Sequence, residues 1–593
     1  MAAKRQDRED SMVDKPSHRA RAILERFKTM KTEKQPWHRL YQYCGEYVMT
    51  RKQNFEGKRA QADILTDNIY DDTAPKANRR MAASLIGALW PNGAKSFRIE
   101  PPKEMLDEIG EETEEVKAYY EWVTRRMAEY IDNPKSGFQT ALDEYMLDQG
   151  AFGISGIQVD DRDDYEVPLI YRARDAKVLH VLEGPNGFID TVYMGTEFTL
   201  RQLVQEYGLD AISKKQREAF LTGKQSEKVT VLQAIEPRLD GDPTGFGVKN
   251  MPIASVHIEV ESEKILRESG FLEMPIAVAR FAKAMGEVYG RCPAMESLPS
   301  IFEANALGEA WTLAVEKTLD PSLLVLDDGS LGGGTIDTSP GAINVVSVSG
   351  RIGGSAKPVE PLFLVGDLNW TAARRTELTQ VIQDHFYYNI LFDVESDQRM
   401  TLGEFNGRNQ WRGQTLNPIY SRQYAEVFVP IIEVSFNKLR RKGLLGVIPG
   451  SQDELNLLAS GIIPKHIPEP VLKRMMTGEE VYKITFISPA SRIMHSEELA
   501  GLEHLTTVVT QVAPVEQSIL DIPDWDWIIT RMQELDGAPR EAIRSAEKIR
   551  NIREQKQQAQ EQMMQMEAAR QNSETARNMG QAAASVQEQG AAA

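Results

Sequence analysis

The chain has 593 residues, 41% of them hydrophobic, and a net charge of −18; that length exceeds what one hydrophobic core usually serves and predicts two to four structural regions. No run approaches the roughly 18 consecutive apolar residues of a transmembrane helix, and the N-terminus, MAAKRQDREDSMVDKP, lacks the apolar core of a secretory signal. The only cysteines, Cys44 and Cys292, lie 248 positions apart, which excludes a disulfide framework and fits synthesis in a reducing compartment.

Charge is unevenly spread. Residues 1–60 hold 15 Lys/Arg against 8 Asp/Glu, leaving −25 on the rest of the chain. A protein that grips DNA electrostatically is normally basic, because released counterions dominate affinity. This balance argues against tight DNA binding and permits a surface along which a polyanion slides; it equally serves solubility alone.

From the N-terminus, Leu24, Phe27, Met30, Leu40, Tyr43 and Tyr47 recur at helical spacing and predict a basic amphipathic helix with a solvated face. A helix capped at Thr73 follows and stops at Pro91-Asn92-Gly93. An acidic helix from Gly110 and another through SGFQTALDEYMLDQGAFG come next. From Gly153 to about Glu287 the pattern changes to short alternating runs (GISGIQVD, EVPLIYRAR, FIDTVYMGTEF, VTVLQAIEPRL, IASVHIEVE, MPIAVARFAKA) separated by turn signals. They predict one antiparallel sheet carrying the helices LRQLVQEYG and ISKKQREAFLTG, an α+β region.

Ser300 and Glu303 form a capping box for a helix that runs to Leu319 and stops at Asp320-Pro321. Ile301, Ala304, Leu307, Trp311 and Val315 make its apolar stripe; Asn305, Glu309, Thr312 and Glu316 make a narrow acidic one. Between Pro321 and Gly366 lie three short strands (SLLVLDD, AINVVSVSG, VEPLFLVG) and the glycine-rich run GSLGGGTIDTSPG. Asp367 caps a second long helix, LNWTAARRTELTQVIQDHFYYNILF. Two long helices flanking a small β insertion make a strut with a tip. A long helical region with bends at Gly407, Gly413 and Pro418 follows, then one β-like run, VYKITFISPA, and further helices. Residues 551–593 hold ten glutamines and no proline or aromatic residue; this tail should begin helical and fray toward its end.

Catalytic patterns are weak. Gly332-Gly333-Gly334-Thr335 lacks the lysine and spacing of a phosphate cradle. The run VDDRDDYE lacks the glycine and glutamate of a calcium loop and reads as a solvated turn. The eight histidines are dispersed, His385 reads as a packed helix residue, and Cys292 reads as a buried small apolar one. The sequence predicts no enzyme, no metal and no cofactor.

Seven phrases in order carry a resemblance: DNIYDDTAPKANRRMAASLIGALWPNGAKSFRIEPP, GEVYGRCPAMESLPSI running into the strut, RMTLGEFNGRNQ, FVPIIEVSFNKLRRKGLL, FISPASR and ELDGAPREAIRSAEKIRNIREQ, preceded by Trp37, Leu40 and Tyr41. Together they span nearly the whole chain, which resembles the head-to-tail connector (portal) proteins of short-tailed bacteriophages. It departs at Thr401-Leu402-Gly403-Glu404, where the family often has Thr-Ala-Thr-Glu, and at Pro489-Ala490-Ser491-Arg492, where it usually has Pro-Leu-Ala-Arg.

The resemblance implies a portal fold in a ring-shaped homo-oligomer, most often of 12 subunits. Its parts would be a basic helical segment 1–60, an α+β wing 61–297, stem helices 298–320 and 367–391 flanking a clip 321–366, and a tunnel loop 392–401. The wing continues over 402–489; a helical crown 490–545 and a C-terminal helical barrel or disordered tail 546–593 complete it. Implied partners are double-stranded viral DNA, the terminase large subunit, tail adaptor or tube proteins, and major capsid and scaffolding proteins, with no membrane. The setting would be the virion, at the portal vertex. Within that frame Glu309, Glu316, Glu377 and Asp384 line the channel or form a solvated outer face. Gln398 and Arg399 meet DNA or, for Arg399, an intersubunit carboxylate; Asp327, Asp328 and Gly332 to Gly334 form the docking clip. The alternative is a minor capsid or assembly protein that multimerises without conducting DNA.

Overall fold

The computed structural model describes residues 17–52, 55, 66–91, 95–110, 113–238, 247–319, 323–325, 359–361, 369–391, 402–514, 516–536, 544 and 546–590. The chain divides into two units, Met1–Leu89 with Asn133–Ser435, and Trp90–Asp132 with Phe436–Ala593.

In the first unit, helices α1 (His18–Tyr47), α2 (Thr73–Leu89) and α3 (Phe138–Phe152) precede the strands. Thr73 is the first helical residue of α2 rather than its cap; Asp71 supplies the acceptor, taking bonds from the Thr73 amide (2.9 Å) and hydroxyl (2.6 Å). The strands are β1 (Ile154–Asp161), β2 (Leu169–Arg174), β3 (Leu179–Glu183) and β4 (Ile189–Thr199). After helices α4 (Leu200–Tyr207) and α5 (Lys214–Leu221) come β5 (Lys228–Pro237), β6 (Ile253–Glu259), β7 (Lys264–Phe271) and β8 (Ile276–Arg280). The expected single sheet is two: a three-stranded sheet ordered β2-β1-β8 and a five-stranded meander β3-β4-β5-β6-β7, all antiparallel.

The five-stranded sheet is covered on both faces. Leu232 and Ala234 of β5 pack with Val256 and Ile258 against Ala20, Ile23, Leu24 and Met30 of α1. Val229 and Val231, one residue out of phase and so on the opposite face, pack against Leu200, Leu203 and Ile212. The expected solvated N-terminal helix is therefore the cover of a sheet. Its basic residues pair with the sheet's acids, Arg19 with Glu268 (2.9 Å) and Arg26 with Glu236 (2.9 Å).

α3 is almost wholly buried and ends at Gly153, whose φ of +73° is the left-handed conformation glycine adopts freely. A Cβ there would stand 2.4 Å from the Gly290 carbonyl oxygen. This close approach, with the Ala282–Arg291 bridge beside it, seats the start of helix α6 (Pro293–Leu319) against the end of the β2-β1-β8 sheet. α6 starts seven residues before the expected capping box. Pro293 takes the first position, where its missing N–H is harmless, and the helix continues through Pro299, with the Ser297 hydroxyl donating to the Pro293 carbonyl (2.7 Å).

Strands β9 (Leu323–Val325) and β10 (Val359–Pro361) pair antiparallel within the chain; the expected strand AINVVSVSG and the Asp367 cap lie outside the described residues. Helix α7 (Asn369–His385) is shorter than the expected 367–391 segment. The chain breaks at Tyr387, with φ +56°, before a short helix Tyr388–Leu391. Helix α8 (Leu402–Gln423) passes through Gly407, Gly413 and Pro418. The irregularity comes later, as a π-turn over Tyr424–Phe428 before helix α9 (Val429–Arg441).

In the second unit Phe97–Glu100 pairs antiparallel with Lys483–Phe486. Helix Glu114–Ile131, N-capped by Thr113, donates from the Tyr119 hydroxyl to the Leu445 carbonyl (2.9 Å). Helices Ser496–Val512 and Trp525–Asp536 are tied by Arg531, which grips Glu498 with two bonds (2.6 and 2.9 Å). The tail forms one helix, Ala546–Gly590, about 68 Å long at 1.5 Å per residue. The tail was expected to begin helical and fray toward its end; its Gln, Ala, Glu, Met and Arg residues, all good helix formers, carry the helix to Gly590, and residues 591–593 lie outside the described residues.

Candidate functional site

Helices α6 and α7 pack side by side, and Ile301 and Ala304 of the first and Leu378 and Ile382 of the second are buried. Outside this seam both helices expose polar stripes. Glu309 and Glu316, seven residues apart, share one face of α6; Glu377 and Asp384, also seven apart, share one face of α7; all four are exposed. The expected acidic residues thus form two stripes, one per helix, rather than a single cluster.

The stripes differ electrically. Arg374 donates two bonds to Glu303 across the seam (2.8 and 3.0 Å) and one to Glu377 (2.9 Å). Those hydrogen bonds hold the Glu303 carboxyl below its ordinary range and push the Arg374 guanidinium up. Asp384 accepts from the Asn389 amide (2.6 Å). α6 carries four acidic residues against one basic, and α7 two against two. The negative charge of the pair is therefore supplied by α6. Sequence reasoning missed Arg374, although its i,i+3 spacing to Glu377 was legible.

Where α6 leaves the sheet, the ring of Phe302 meets Tyr43 and Tyr47 of α1 edge-on (5.6 and 5.1 Å between centroids). Glu309, seven residues on and so on the same face, lies close enough to Tyr47 to help burial raise its phenol pKa. The Tyr70 amide donates to Asn305 Oδ1 (2.7 Å), and Asn305 donates back to the Asn68 carbonyl (3.0 Å). These contacts fix the first half of the helix; from Trp311 to Leu319 its residues are half-buried or exposed, Glu316 among the exposed ones.

A second constellation was not anticipated. Arg280, 1% exposed, ends β8 and is held by Glu183, the Gly187 carbonyl (3.0 Å) and Glu426 of the π-turn (2.7 Å). Its backbone N–H also donates to Glu426 (2.9 Å). Gln423, just before the π-turn, accepts from the buried Tyr145 hydroxyl (2.5 Å). No sequence signal joins residues 146 positions apart, and only the fold brings them together.

Of the other expected residues, Gln398, Arg399, Asp327, Asp328 and Gly332, Gly333 and Gly334 lie outside the described residues. The 160–164 acidic run turns between β1 and β2, with Asp160 near Arg172 (3.6 Å) and Asp164 accepting from the Glu166 amide (2.9 Å). Among the described residues no group of three or more His, Cys, Asp or Glu is placed to hold a metal ion, and no helix is long and apolar enough to cross a membrane.

Comparison with known proteins gives the family. Residues 20–543 match the model of the family described as bacteriophage head to tail connecting protein. The chain is 25% identical over 564 residues to the "Probable portal protein" of Bordetella phage BPP-1, covering 94% of this chain and 95% of that one. It is 24% identical over 551 residues to the "Portal protein" of Salmonella phage epsilon15, covering 90% of each. Among solved structures, a chain from the virion of a native gene transfer agent particle is similar at 10% identity and a TM-score of 0.32, over 74% of this chain and 99% of that one, an overlap too low to bear on the fold. With the family model spanning all but its two ends, the chain belongs to the bacteriophage head-to-tail connecting protein family.

Proposed function

We propose that this chain is a phage portal protein: copies close into a ring at one capsid vertex, and double-stranded DNA enters and leaves through the bore. The observation that carries this reading is the family match over residues 20–543, joined by two portal relatives aligned along nine-tenths or more of both chains. The role is structural, with no reaction to catalyse.

In this reading α6 and α7 are the stem, residues 321–366 the clip and 61–297 with 402–489 the wing. Residues 490–545 form the crown and the Ala546–Gly590 helix the barrel. Repeated around a ring of twelve, Glu309 and Glu316 make acidic bands that repel DNA phosphates and keep the duplex off the wall. Glu377 adds less because Arg374 offsets it, and Asp384 stands seven residues further along. Gln398 and Arg399 of the tunnel loop supply the few contacts that grip. Asp327, Asp328 and Gly332 to Gly334 of the clip meet the terminase large subunit during filling and tail adaptor or tube proteins afterwards. Major capsid and scaffolding proteins surround the wing. Phage assembly without this chain tests the reading: heads should form without DNA. Heads that fill normally would instead mark it as a minor capsid or assembly protein.

A further inference from the structure

We propose that the turn at residues 175–179 is a binding site for a primary ammonium ion, filled in the native chain by Lys34 of α1 and open to a free alkylammonium when that side chain is cut back. Three backbone carbonyls of the turn accept from the one Lys34 nitrogen: Ala176 (2.5 Å), Lys177 (3.1 Å) and Leu179 (2.6 Å). A lysine ammonium has three donors and no acceptor, so donors and acceptors match one to one. The Tyr289 ring centroid lies 5.7 Å from the same nitrogen, within reach of a cation–π attraction. Lys34 is 0% exposed, so these partners replace water around its charge.

The hydrogen bonds that shape the turn do not involve Lys34. Asp175 organises it: its carboxylate accepts from the Lys177 amide (3.1 Å), and its carbonyl accepts from the Val178 and Leu179 amides (3.1 and 3.3 Å). The Val178 carbonyl, left out of the cage, accepts from the His180 ring (3.1 Å). Asp175 also lies near Lys52 (3.7 Å), which grips the buried Asp148 of α3 (2.6 Å). Three carbonyls thus converge on one point, and the Asp175 carboxylate adds a field there that favours a cation.

Other cations match the cage poorly. Calcium takes about six to eight oxygens at about 2.3–2.6 Å and magnesium an octahedron at about 2.0–2.1 Å, against three neutral oxygens here. A guanidinium spreads its donors in a planar fork, whereas these carbonyls meet at a single nitrogen. The site also extends the docking of α1. Ala20, Ile23, Leu24 and Met30 hold the helix on the sheet. Lys34, one turn beyond Met30, reaches the turn that leads into β3, an edge of that sheet. Phe27 packs beside it, edge-on to His180 (4.9 Å).

Lys34→Ala removes three carbons and the ammonium, and n-propylammonium is the missing piece. Thermal melts of the full-length variant are compared in n-propylammonium chloride, n-propanol and tetramethylammonium chloride, the two salts at equal ionic strength. n-Propylammonium should narrow the variant's Tm gap to wild type by several degrees along a saturation curve, and the other two should not. Where the variant does not fold alone, the additives are present during refolding and recovery of folded protein is the readout. Lys34→Arg should melt below wild type although it keeps the charge. In wild type, acetic anhydride followed by peptide mass spectrometry should mark Lys28 and Lys31, exposed on the same helix, and spare Lys34. No rescue by n-propylammonium, equal rescue by n-propanol or tetramethylammonium, Lys34→Arg as stable as wild type, or acetylation of Lys34 at the pace of Lys31 would each overturn the proposal.

Discussion

Lys34 carries its ammonium into the interior of the first unit and donates to the carbonyls of Ala176 (2.5 Å), Lys177 (3.1 Å) and Leu179 (2.6 Å). Burial lowers its pKa to about 7. Lys34→Met keeps the volume and strips three buried acceptors of their donor, so it should cost on the order of 3 kcal/mol or more, read as a lower urea midpoint. His180 lies beside it with its ring edge on Phe27 (4.9 Å). Burial, then the Lys34 charge, holds the His180 imidazole down to about 3 from an ordinary 6.5. The unfolded chain therefore takes up a proton below pH 6.5 that the native state refuses, and stability falls with pH from there toward 3. Removing this group flattens that fall by up to about 1.4 kcal/mol per pH unit. Thermal midpoints of His180→Gln and wild type at pH 7, 6 and 5 should converge or cross as pH drops; parallel curves would refute the assignment.

At the scale of elements, the Arg280–Glu426 contact pins the π-turn to the end of β8. Arg280→Met leaves the nearly buried Glu426 carboxylate without its cation, while Glu183 keeps Lys283 (2.5 Å), and a loss of about 3–5 kcal/mol is expected, measured by denaturant midpoint together with faster amide exchange over 424–428. Arg374→Ala, on an exposed pair, should leave the midpoint unmoved. Gly153→Ala should destabilise by more than about 1 kcal/mol, since it combines a left-handed φ with a backbone collision at Gly290. These elements also show what was legible in the sequence. Helices with regular apolar spacing were, as were the central strands. The two overlooked strands, Leu179–Glu183 and Lys264–Phe271, are the two edges of the five-stranded sheet. KILRESGF is charged, as exposed edges tend to be, and so hides its alternation. The Ser300 capping box misled because Pro293 already opens the helix. The break at Tyr387 has no glycine or proline to announce it. The acidic stripes could be read from spacing, whereas Arg280, Glu426 and the seat of Lys34 depend on contacts between distant segments, which no local pattern encodes.

At the scale of the whole molecule, the account rests on charge repeated by symmetry. Glu309→Gln with Glu316→Gln removes the two α6 carboxylates on its exposed stripe, so the assembled protein should bind duplex DNA more tightly at low salt. The difference from wild type should shrink as ionic strength rises toward about 0.15 M, where the screening length is about 8 Å. A salt-independent difference, or none, would remove these residues from the channel wall. The ring itself is the central claim, and electron microscopy of the purified full-length protein tests it most directly. Class averages should show a closed ring with an open axial bore wide enough for a DNA duplex. Solid globular particles or open filaments would contradict it.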